Sequence, residues 1–341
     1  MRPRIVVFTG GQEEHAKLSR ESGTWMCQYI PRSQYDVVPV EVTEDGMWKV
    51  PVGSLPKGGD IARTIEMLFK ATAPQEPAKA LEKLLSKPVD SIVTLLRGKG
   101  GDDGAMHATG DMLGIPVAGS NQHISQHAYN KHHFAHTMSS IAPTPYTQLV
   151  RHSEHNEDTA RTIWGEFIAP FFIKPVHGSG SHGIVRVLQF EELQRAMAEA
   201  KKEKKDILVQ EYRPGLELSV TVYSDANNTP RSLPPTIITP KAATFYNYYE
   251  KQRSAGAHFH GVHESDSSLA DQAEAIAQEV YESLGCSGIA TVDMIANEGA
   301  IDVLELNTIP SFHKSSPIHH QMQQARMHPE QLLRVYTDCS A

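Results

Sequence analysis

The amino-acid sequence predicts an α/β protein with a parallel sheet. Strand-like and helical segments alternate through its first third, a glycine-rich loop joins two strand-like segments in its middle, and an acidic hairpin pattern lies near its C-terminus. The 341 residues suffice for two domains or three small ones.

Short apolar segments in the first third predict strands, and the apolar spacing between them predicts helices. The strands cover residues 5–8, 37–40 and 91–96, and the helices cover residues 60–70 and 78–86. Their β-α-β order implies a parallel sheet with helices on its faces. Glycine-rich turns at Gly10-Gly11 and at residues 98–104 follow strands of this sheet, at the carboxyl edge where ligands bind in such folds.

The rest of the chain predicts a second α/β unit and a C-terminal part. The second unit begins near Asn121, with a helix over 125–139, strands over 171–174 and 184–187, a helix over 191–205 and a strand over 207–211. The C-terminal part has a strand over 217–223, a helix over 269–284 and a hairpin over 290–306. Helical spacing places Ala273, Ala277 and Val280 on one face of its helix.

Composition and charge exclude several classes of function. The chain carries 40 acidic and 32 basic residues and a formal charge of −8, an acidic balance that argues against a nucleic-acid or membrane-surface binder. Its apolar runs are strand-sized, so no membrane-spanning helix is expected. The N-terminus shows no signal-peptide pattern. The three cysteines are odd in number and far apart, so neither a disulfide framework nor a zinc site is expected. We therefore predict a cytoplasmic protein.

The acidic hairpin is the most informative segment of the C-terminal part. Asn297-Glu298-Gly299 predicts its turn, and symmetric pairing about residue 299 places Asp293 opposite Glu305. Carboxylates at opposite positions repel, and Asn307 points to the same face because side chains alternate along a strand. A hard divalent cation such as Mg²⁺ relieves that repulsion. The alternative interpretation is a solvent-facing hairpin with a charged face.

The glycine-rich loop over residues 174–183 predicts a flap over a polyphosphate. Lys174 ends a strand, and three glycines with Ser179 and Ser181 follow before the next strand. Glycines let backbone N–H groups approach an anion closely, and the hydroxyls add donors. The loop differs from a Walker A loop, since the lysine precedes the glycines and no helix follows. A mobile surface hairpin is the alternative interpretation.

A family resemblance rests on segments that occur in a fixed order along the chain. They are Gly10-Gly11, Asn130-Lys131 and the stretches 97–104, 114–120, 172–183, 209–217, 245–251, 284–293 and 304–310. In this order the sequence resembles the D-alanine–D-alanine ligases of the ATP-grasp superfamily. The resemblance implies an ATP-grasp fold of three α/β subdomains, with the ATP site between the central and C-terminal ones. The implied domains are an N-terminal Rossmann-like domain (1–122), a central subdomain with the flap (123–212) and a C-terminal subdomain with the metal-binding hairpin (213–341).

The resemblance also implies a reaction, its cofactors and its partners. A carboxylate is phosphorylated to an acyl phosphate, which an amine attacks with release of ADP and phosphate. The implied cofactors are ATP and two Mg²⁺ ions, which Mn²⁺ can replace, and the implied substrates are amino-acid-like molecules. Family members pair through the first domain, so a homodimer is also expected.

Each implied role falls on a residue of this sequence. The phosphates would contact Lys131, Lys174, Ser179, Gly180 and Ser181; adenine would contact Gln210, Glu211 and Tyr212; and the ribose would contact Glu217. Lys251 would contact the transferred phosphate. Asp293, Glu305 and Asn307 would hold the metal ions.

The amino-acid side of the site departs from the family pattern. Where the family has a glutamate, a flap serine, a tyrosine, an arginine, a glycine and a histidine, this chain has His15, Gly180, Gln252, Thr291, Ser311 and Arg97. Ser316 keeps the serine that receives the second substrate's carboxylate. The candidate catalytic residues are therefore Lys251, Ser181, Arg97, His15 and Ser316. Arg97, His313 and Lys314 are candidates for the charge that is lost at Thr291.

These departures predict a ligase that forms an amide or peptide bond between substrates other than two D-alanines. Three alternatives stay open: a divergent D-alanine–D-alanine ligase, an ATP-binding pseudo-ligase with a regulatory role, and a kinase that stops at the phosphorylated product. Of the 18 histidines, His15, His177, His182 and His313 fall in segments that line the predicted site.

Overall fold

The computed structural model describes residues 2–12, 16–241, 247, 250 and 256–337. Its strands form three sheets, of five, four and six strands in chain order. This is the α/β architecture that the sequence predicts.

The first sheet is mainly parallel and has the order β3-β2-β1-β4-β5. Its strands are β1 (Arg4–Gly10), β2 (Asp36–Val42), β3 (Trp48–Lys49), β4 (Ser91–Thr94) and β5 (Val117–Ala118). Its helices are α1 (Ala16–Tyr29), α2 (Ile61–Ala71), α3 (Pro77–Leu85) and α4 (Ala105–Leu113). The central strands are buried on both faces, as expected for a parallel sheet between helices.

Helix α1 is a helix that the apolar pattern does not reveal, because serine and glycine stand on its buried face. Gly23 makes its close approach to β1 possible, since a Cβ there would lie 1.9 Å from Thr9 Cγ2. The contact holds α1 directly against the sheet.

The predicted helix over 125–139 is two helices in the structure, α5 (Gln122–Tyr129) and α6 (Lys131–Met138). The break lies at Asn130, whose backbone is extended and whose side chain accepts a hydrogen bond from the His133 N–H at 3.0 Å. An asparagine in this role is a strong N-cap, so α6 begins anew at Lys131.

The central sheet is antiparallel and has the order β6-β9-β7-β8. Its strands are β6 (Thr147–Val150), β7 (Phe171–Pro175), β8 (Val185–Val187) and β9 (Ile207–Glu211). Helices α7 (Glu157–Glu166) and α8 (Phe190–Lys202) cover it, and side chains such as Ile163 and Leu193 form their common core with the strands.

The C-terminal sheet has the order β13-β12-β10-β14-β15, with β11 beside β10. Its strands are β10 (Leu216–Ser224), β11 (Pro230–Ser232), β12 (Thr236–Pro240), β13 (Ala257–Gly261), β14 (Ile289–Asn297) and β15 (Ala300–Asn307). The predicted helix of this part is α9 (Ser267–Ser283), and its Ala273, Ala277 and Val280 are buried on the sheet as predicted. Phe134 and Met138 of α6 belong to the same core.

The C-terminal helices α10 (Pro317–Gln324) and α11 (Pro329–Thr337) return to the first domain. Ile318, Leu332 and Leu333 share a core with Met26 and Ile30 of that domain. Residues 309–316, which precede α10, are thereby held beside the end of β4. The domain boundaries at 122/123 and 212/213 stay predictions. Of the described helices, none has the length and apolarity needed to cross a membrane.

Candidate active site

The acidic hairpin places its two carboxylates opposite each other, but through a different register from the predicted one. Its turn is the two-residue Glu298-Gly299, both with positive φ, so Asn297 pairs with Ala300 and Met294 with Val303. Continued without interruption, that register would put Leu304 opposite Asp293. A β-bulge intervenes, and Asp293 pairs with Glu305 instead.

The bulge has a direct consequence for the site. Two residues on the bulged strand stand against one on its partner. Leu304 and Glu305 are accordingly both half-buried and both line the same cleft.

The carboxylates are held by neighbours on three elements. Ser219, opposite Asp293 on β10, donates its hydroxyl to Asp293 Oδ1 at 2.8 Å, and Asn307 Nδ2 donates to Asp293 Oδ2 at 3.3 Å. Lys131, the first residue of α6, donates its ammonium to Glu305 Oε2 at 2.6 Å. The lysine thus compensates one charge of a closely spaced acidic pair.

A cleft of about 260 Å³ lies between the central and C-terminal sheets. Its lining includes Lys174, Ser181, Gln210, Glu211, Tyr212 and Glu217. Lys174 and Gln210 are 9% and 4% exposed, so both polar groups are buried at the cleft wall. The Arg186 guanidinium lies 5.1 Å from the centre of the Tyr212 ring, which orients that aromatic side chain.

The glycine-rich loop between β7 and β8 closes one end of this cleft. The Lys131 N–H donates to the Val176 carbonyl at 2.9 Å, which ties α6 to the base of the loop. Gly180 and Ser181 both have φ near +60°, a conformation that glycine adopts freely and serine rarely. Three consecutive residues of the turn have different surroundings: Ser179 lies beside Asp102, Gly180 lines a second pocket and Ser181 lines the cleft.

That second pocket is smaller, about 80 Å³, and adjoins the cleft. Glu217, Ile238, Asp293 and Glu305 line both spaces. The other lining residues include Arg97, Thr291, Ser311, His313 and Ser316. The two cavities therefore meet at the carboxylates of the acidic hairpin.

The structure gathers most of the candidate residues around these two cavities. Lys131 and Ser179 lie beside them, next to Glu305 and Asn307. Ser316 donates its hydroxyl to the Ser311 carbonyl, and His313 is buried at the pocket wall. His177 and His182 of the loop are exposed. His15, Lys251 and Gln252 lie outside the described residues.

One residue of the site has no assigned role in the sequence prediction. Asp102 is 6% exposed and contacts both Arg97 and the glycine-rich loop. Its signal in the sequence is only a position five residues after Arg97 in a glycine-rich turn, and Ser179, which lies beside it in the structure, is far along the chain. Local pattern does not identify such a contact.

The donor set of the hairpin fits a hard divalent cation. Two carboxylates and one amide meet on one face of β14 and β15, and oxygen atoms of these types are the ligands that Mg²⁺ prefers. Within the described ranges no group of three or more His, Cys, Asp or Glu side chains is placed to hold a metal ion. A cation here would consequently use Asn307 and a bound phosphate beside the two acids.

Comparison with known proteins decides the family. Residues 137–336 match the family described as D-ala D-ala ligase C-terminus, and residues 4–120 match D-ala D-ala ligase N-terminus. The chain belongs to the D-alanine–D-alanine ligase family. The resemblance that the sequence motifs indicate is thereby confirmed, and with it the ATP-grasp fold.

Individual ligases are similar to this chain over most of its length. A D-alanine–D-alanine ligase of Clostridium acetobutylicum is 27% identical over 92% of this chain and 90% of its own length. In fold, the chain is similar to the VanG D-Ala:D-Ser ligase of Enterococcus faecalis, with a TM-score of 0.83, 23% identity and 100% of both chains covered. A D-alanine–D-alanine ligase of Bacillus anthracis, solved with ATP, has a TM-score of 0.75 at 22% identity, with 99% of this chain and 97% of that chain covered.

Family membership establishes the general activity. The protein is an ATP-grasp enzyme, an ATP-dependent ligase of the D-alanine–D-alanine ligase type. The choice of substrates is a separate question, because it depends on individual pocket residues that differ between members of one fold.

Proposed function

We propose that the protein joins a carboxylate to an amine, through an acyl phosphate, on amino-acid-like substrates other than two D-alanines. The observation that carries this proposal is the meeting of the two cavities at Asp293 and Glu305. ATP in the larger cleft would point its terminal phosphate at the smaller pocket, where a carboxylate would wait. Phosphoryl transfer depends mainly on such positioning and on charge neutralisation.

The larger cleft suits a nucleotide. Gln210, Glu211 and Tyr212 would contact adenine and Glu217 the ribose, since all four line the cleft. Lys131 and Lys174 would neutralise the phosphates, with backbone N–H groups and hydroxyls of Ser179, Gly180 and Ser181 as further donors. Lys251, outside the described residues, would contact the transferred phosphate.

Asp293, Glu305 and Asn307 would hold Mg²⁺, as one or two ions. When bound, the cation supplies positive charge to the phosphate oxygens as the phosphoryl group is transferred. The chain itself positions these ligands: the bulge turns Glu305 towards Asp293, and Ser219 fixes the Asp293 carboxylate.

The residues that line the smaller pocket are the reason for proposing substrates other than two D-alanines. Thr291, Ser311 and Arg97 all line it, at positions where the family pattern has other residues. Its volume of about 80 Å³ suits a small amino acid. Ser316 also lines it and would receive the carboxylate of the second substrate.

The test is ADP release with Mg-ATP against a panel of D- and L-amino acids, hydroxy acids and small amines, offered singly and in pairs. Amide formation by a pair other than two D-alanines, at a higher rate than D-alanine alone, is the expected result. Strong turnover on D-alanine alone would overturn the claim of altered substrates. It would identify the protein as a divergent D-alanine–D-alanine ligase, the name that several relatives carry.

Two other outcomes separate the remaining alternatives. Tight ATP binding with no turnover on any mixture indicates a pseudo-ligase. A stable phosphorylated product without free phosphate indicates a kinase. The homodimer and the cytoplasmic location stay predictions from the sequence.

A further inference from the structure

The smaller pocket contains an excess of negative charge. Glu217, Asp293 and Glu305 line it, and Lys131 beside it pairs with Glu305 alone among the described acids. Among the lining residues in the described part of the chain, Arg97 is the only arginine or lysine. A carboxylate substrate would add another negative charge, and a phosphoryl group would add more. Burying such a group without a paired cation is strongly unfavourable.

Arg97 is held in one place. It follows β4, its side chain is 11% exposed, and Nη1 donates to the Ile309 carbonyl in the segment before α10. Its Nε lies 3.6 Å from Asp102 Oδ2. A guanidinium has five N–H donors in a planar fork, so these contacts leave others for a carboxylate.

Asp102 is a buried acid whose charge faces this guanidinium. It accepts the Gly98 N–H at 2.7 Å, which fixes the carboxylate within its own loop. Burial raises the pKa of the Asp102 carboxyl, while Arg97, the Gly98 N–H and the Ser179 hydroxyl act to lower it. The same carboxylate therefore lies between Arg97 and the glycine-rich loop.

The other two candidates for a positive charge fit less well. His313 Nδ1 accepts the Ser315 N–H at 3.2 Å, so that nitrogen is engaged within its own segment. Lys314 is exposed and is not among the residues that line the pocket. Thr291 lies on β14 opposite Asn307 and brings no charge from that wall.

We propose that Arg97 binds the carboxylate of the amino-acid substrate and the oxygens of its acyl phosphate, and that Asp102 is the positioning residue that fixes Arg97. The charged side chain that meets the substrate carboxylate thus comes from the first domain rather than from β14, where Thr291 stands. This inference rests on the proposed function, because it assigns a role within that same reaction.

The experiment compares Arg97→Gln, Arg97→Lys, Asp102→Asn and the double variant Arg97→Gln with Asp102→Asn. The probe is the amino acid that gives the highest rate of ADP release in the panel, titrated at saturating Mg-ATP. ATP binding by each Arg97 variant is measured separately by calorimetry. Arg231→Gln and Asp225→Asn are matched controls, since they alter an exposed Arg–Asp pair with an Nε–Oδ2 distance of 3.1 Å.

For Arg97→Gln we expect kcat/KM for the amino acid to fall about 100-fold, as for loss of an oxyanion donor, with the ATP Kd within about twofold of the original. Arg97→Lys recovers part of that loss because it restores the charge. Asp102→Asn costs about tenfold, and the double variant is no worse than Arg97→Gln alone, since Asp102 acts through Arg97.

Two results overturn the inference. If kcat/KM changes by less than about threefold in Arg97→Gln, Arg97 does not bind the reacting group. If the losses in kcat/KM multiply in the double variant, Asp102 acts independently of Arg97. Failure of the proposed function is distinct from both, because it appears as the absence of turnover by the unaltered enzyme on the whole panel.

Discussion

The ammonium of Lys131 lies 2.6 Å from Oε2 of Glu305, so the first residue of α6 is joined to the end of β15. Both side chains are largely shielded from solvent, with 14% and 21% exposed. We propose that Lys131 contacts phosphate and that Glu305 binds the metal ion, whereas here the two side chains bind each other. Binding of Mg-ATP would therefore replace the Lys131–Glu305 ion pair by two others, Lys131 with phosphate and Glu305 with the cation.

The first prediction follows from this pair. In Lys131→Met, Glu305 loses a competing cation, so Mn²⁺ should bind the nucleotide-free protein about tenfold more tightly, while Mg-ATP binds more weakly. Electron paramagnetic resonance of free Mn²⁺ measures the first change and calorimetry the second. Lys49→Met is the control, because Lys49 forms a comparable pair with Glu41 at 2.9 Å, outside the site. Unchanged Mn²⁺ affinity in Lys131→Met contradicts the exchange.

The second prediction concerns the acidic hairpin. Glu305→Gln removes charge at constant shape, so turnover should fall at least about 100-fold while the circular dichroism spectrum stays the same. Mn²⁺ binding should weaken in parallel. Glu298→Gln changes an exposed glutamate at the tip of the same hairpin and should leave both quantities unaltered. Turnover that survives in Glu305→Gln would show that the metal assignment is wrong.

The third prediction concerns the contact between α1 and β1. Gly23→Ala places a methyl group 1.9 Å from Thr9 Cγ2, so the helix has to shift. Overpacking of this kind costs about 1–3 kcal/mol, which exceeds the helix propensity gained with alanine. The thermal midpoint should fall, and Thr9→Ser, which removes Cγ2, should recover part of the loss in the double variant. A midpoint that rises in Gly23→Ala would show that the helix and the strand are not in close contact.

The fourth prediction concerns pH and thiol reactivity. Burial raises the pKa of the Cys27 and Cys286 thiols to about 12, so neither forms a thiolate at pH 8. In a Cys339→Ala background, a chromogenic disulfide should react with no thiol of the native protein and with two after denaturation. Since the native state holds these protons more tightly, the free energy of unfolding should decrease as the pH rises from about 9 towards 12. Rapid reaction of either thiol in the native protein contradicts the raised pKa values.

The acidic hairpin shows what a sequence pattern predicts and what it leaves undetermined. Alternation of side chains identifies Asp293, Glu305 and Asn307 as one face, and the structure places them together. The turn is nevertheless two residues long, and only the bulge at Leu304 restores the pairing of Asp293 with Glu305. A bulge depends on how the strand packs against the cleft, which periodicity does not contain.

The break at Asn130 is a second case. Polar helical spacing continues across residues 125–139, yet the asparagine side chain caps a new helix and brings Lys131 to its first turn. Local propensity is compatible with either one helix or two. The contact of the Lys131 N–H with Val176, 45 positions along the chain, favours two.

By itself the sequence determined the family and most of the strands that form the three sheets, and it predicts the residues of the ATP side, because these depend on local periodicity and on motifs in a fixed order. Only the tertiary structure decided that Arg97 joins Glu217, Asp293 and Ser316 in one pocket, and that Asp102 lies between Arg97 and Ser179. The physical reason is long-range packing. Ile318, Leu332 and Leu333 bury their apolar surface in the core of the first domain, which carries the segment before α10 to the end of β4.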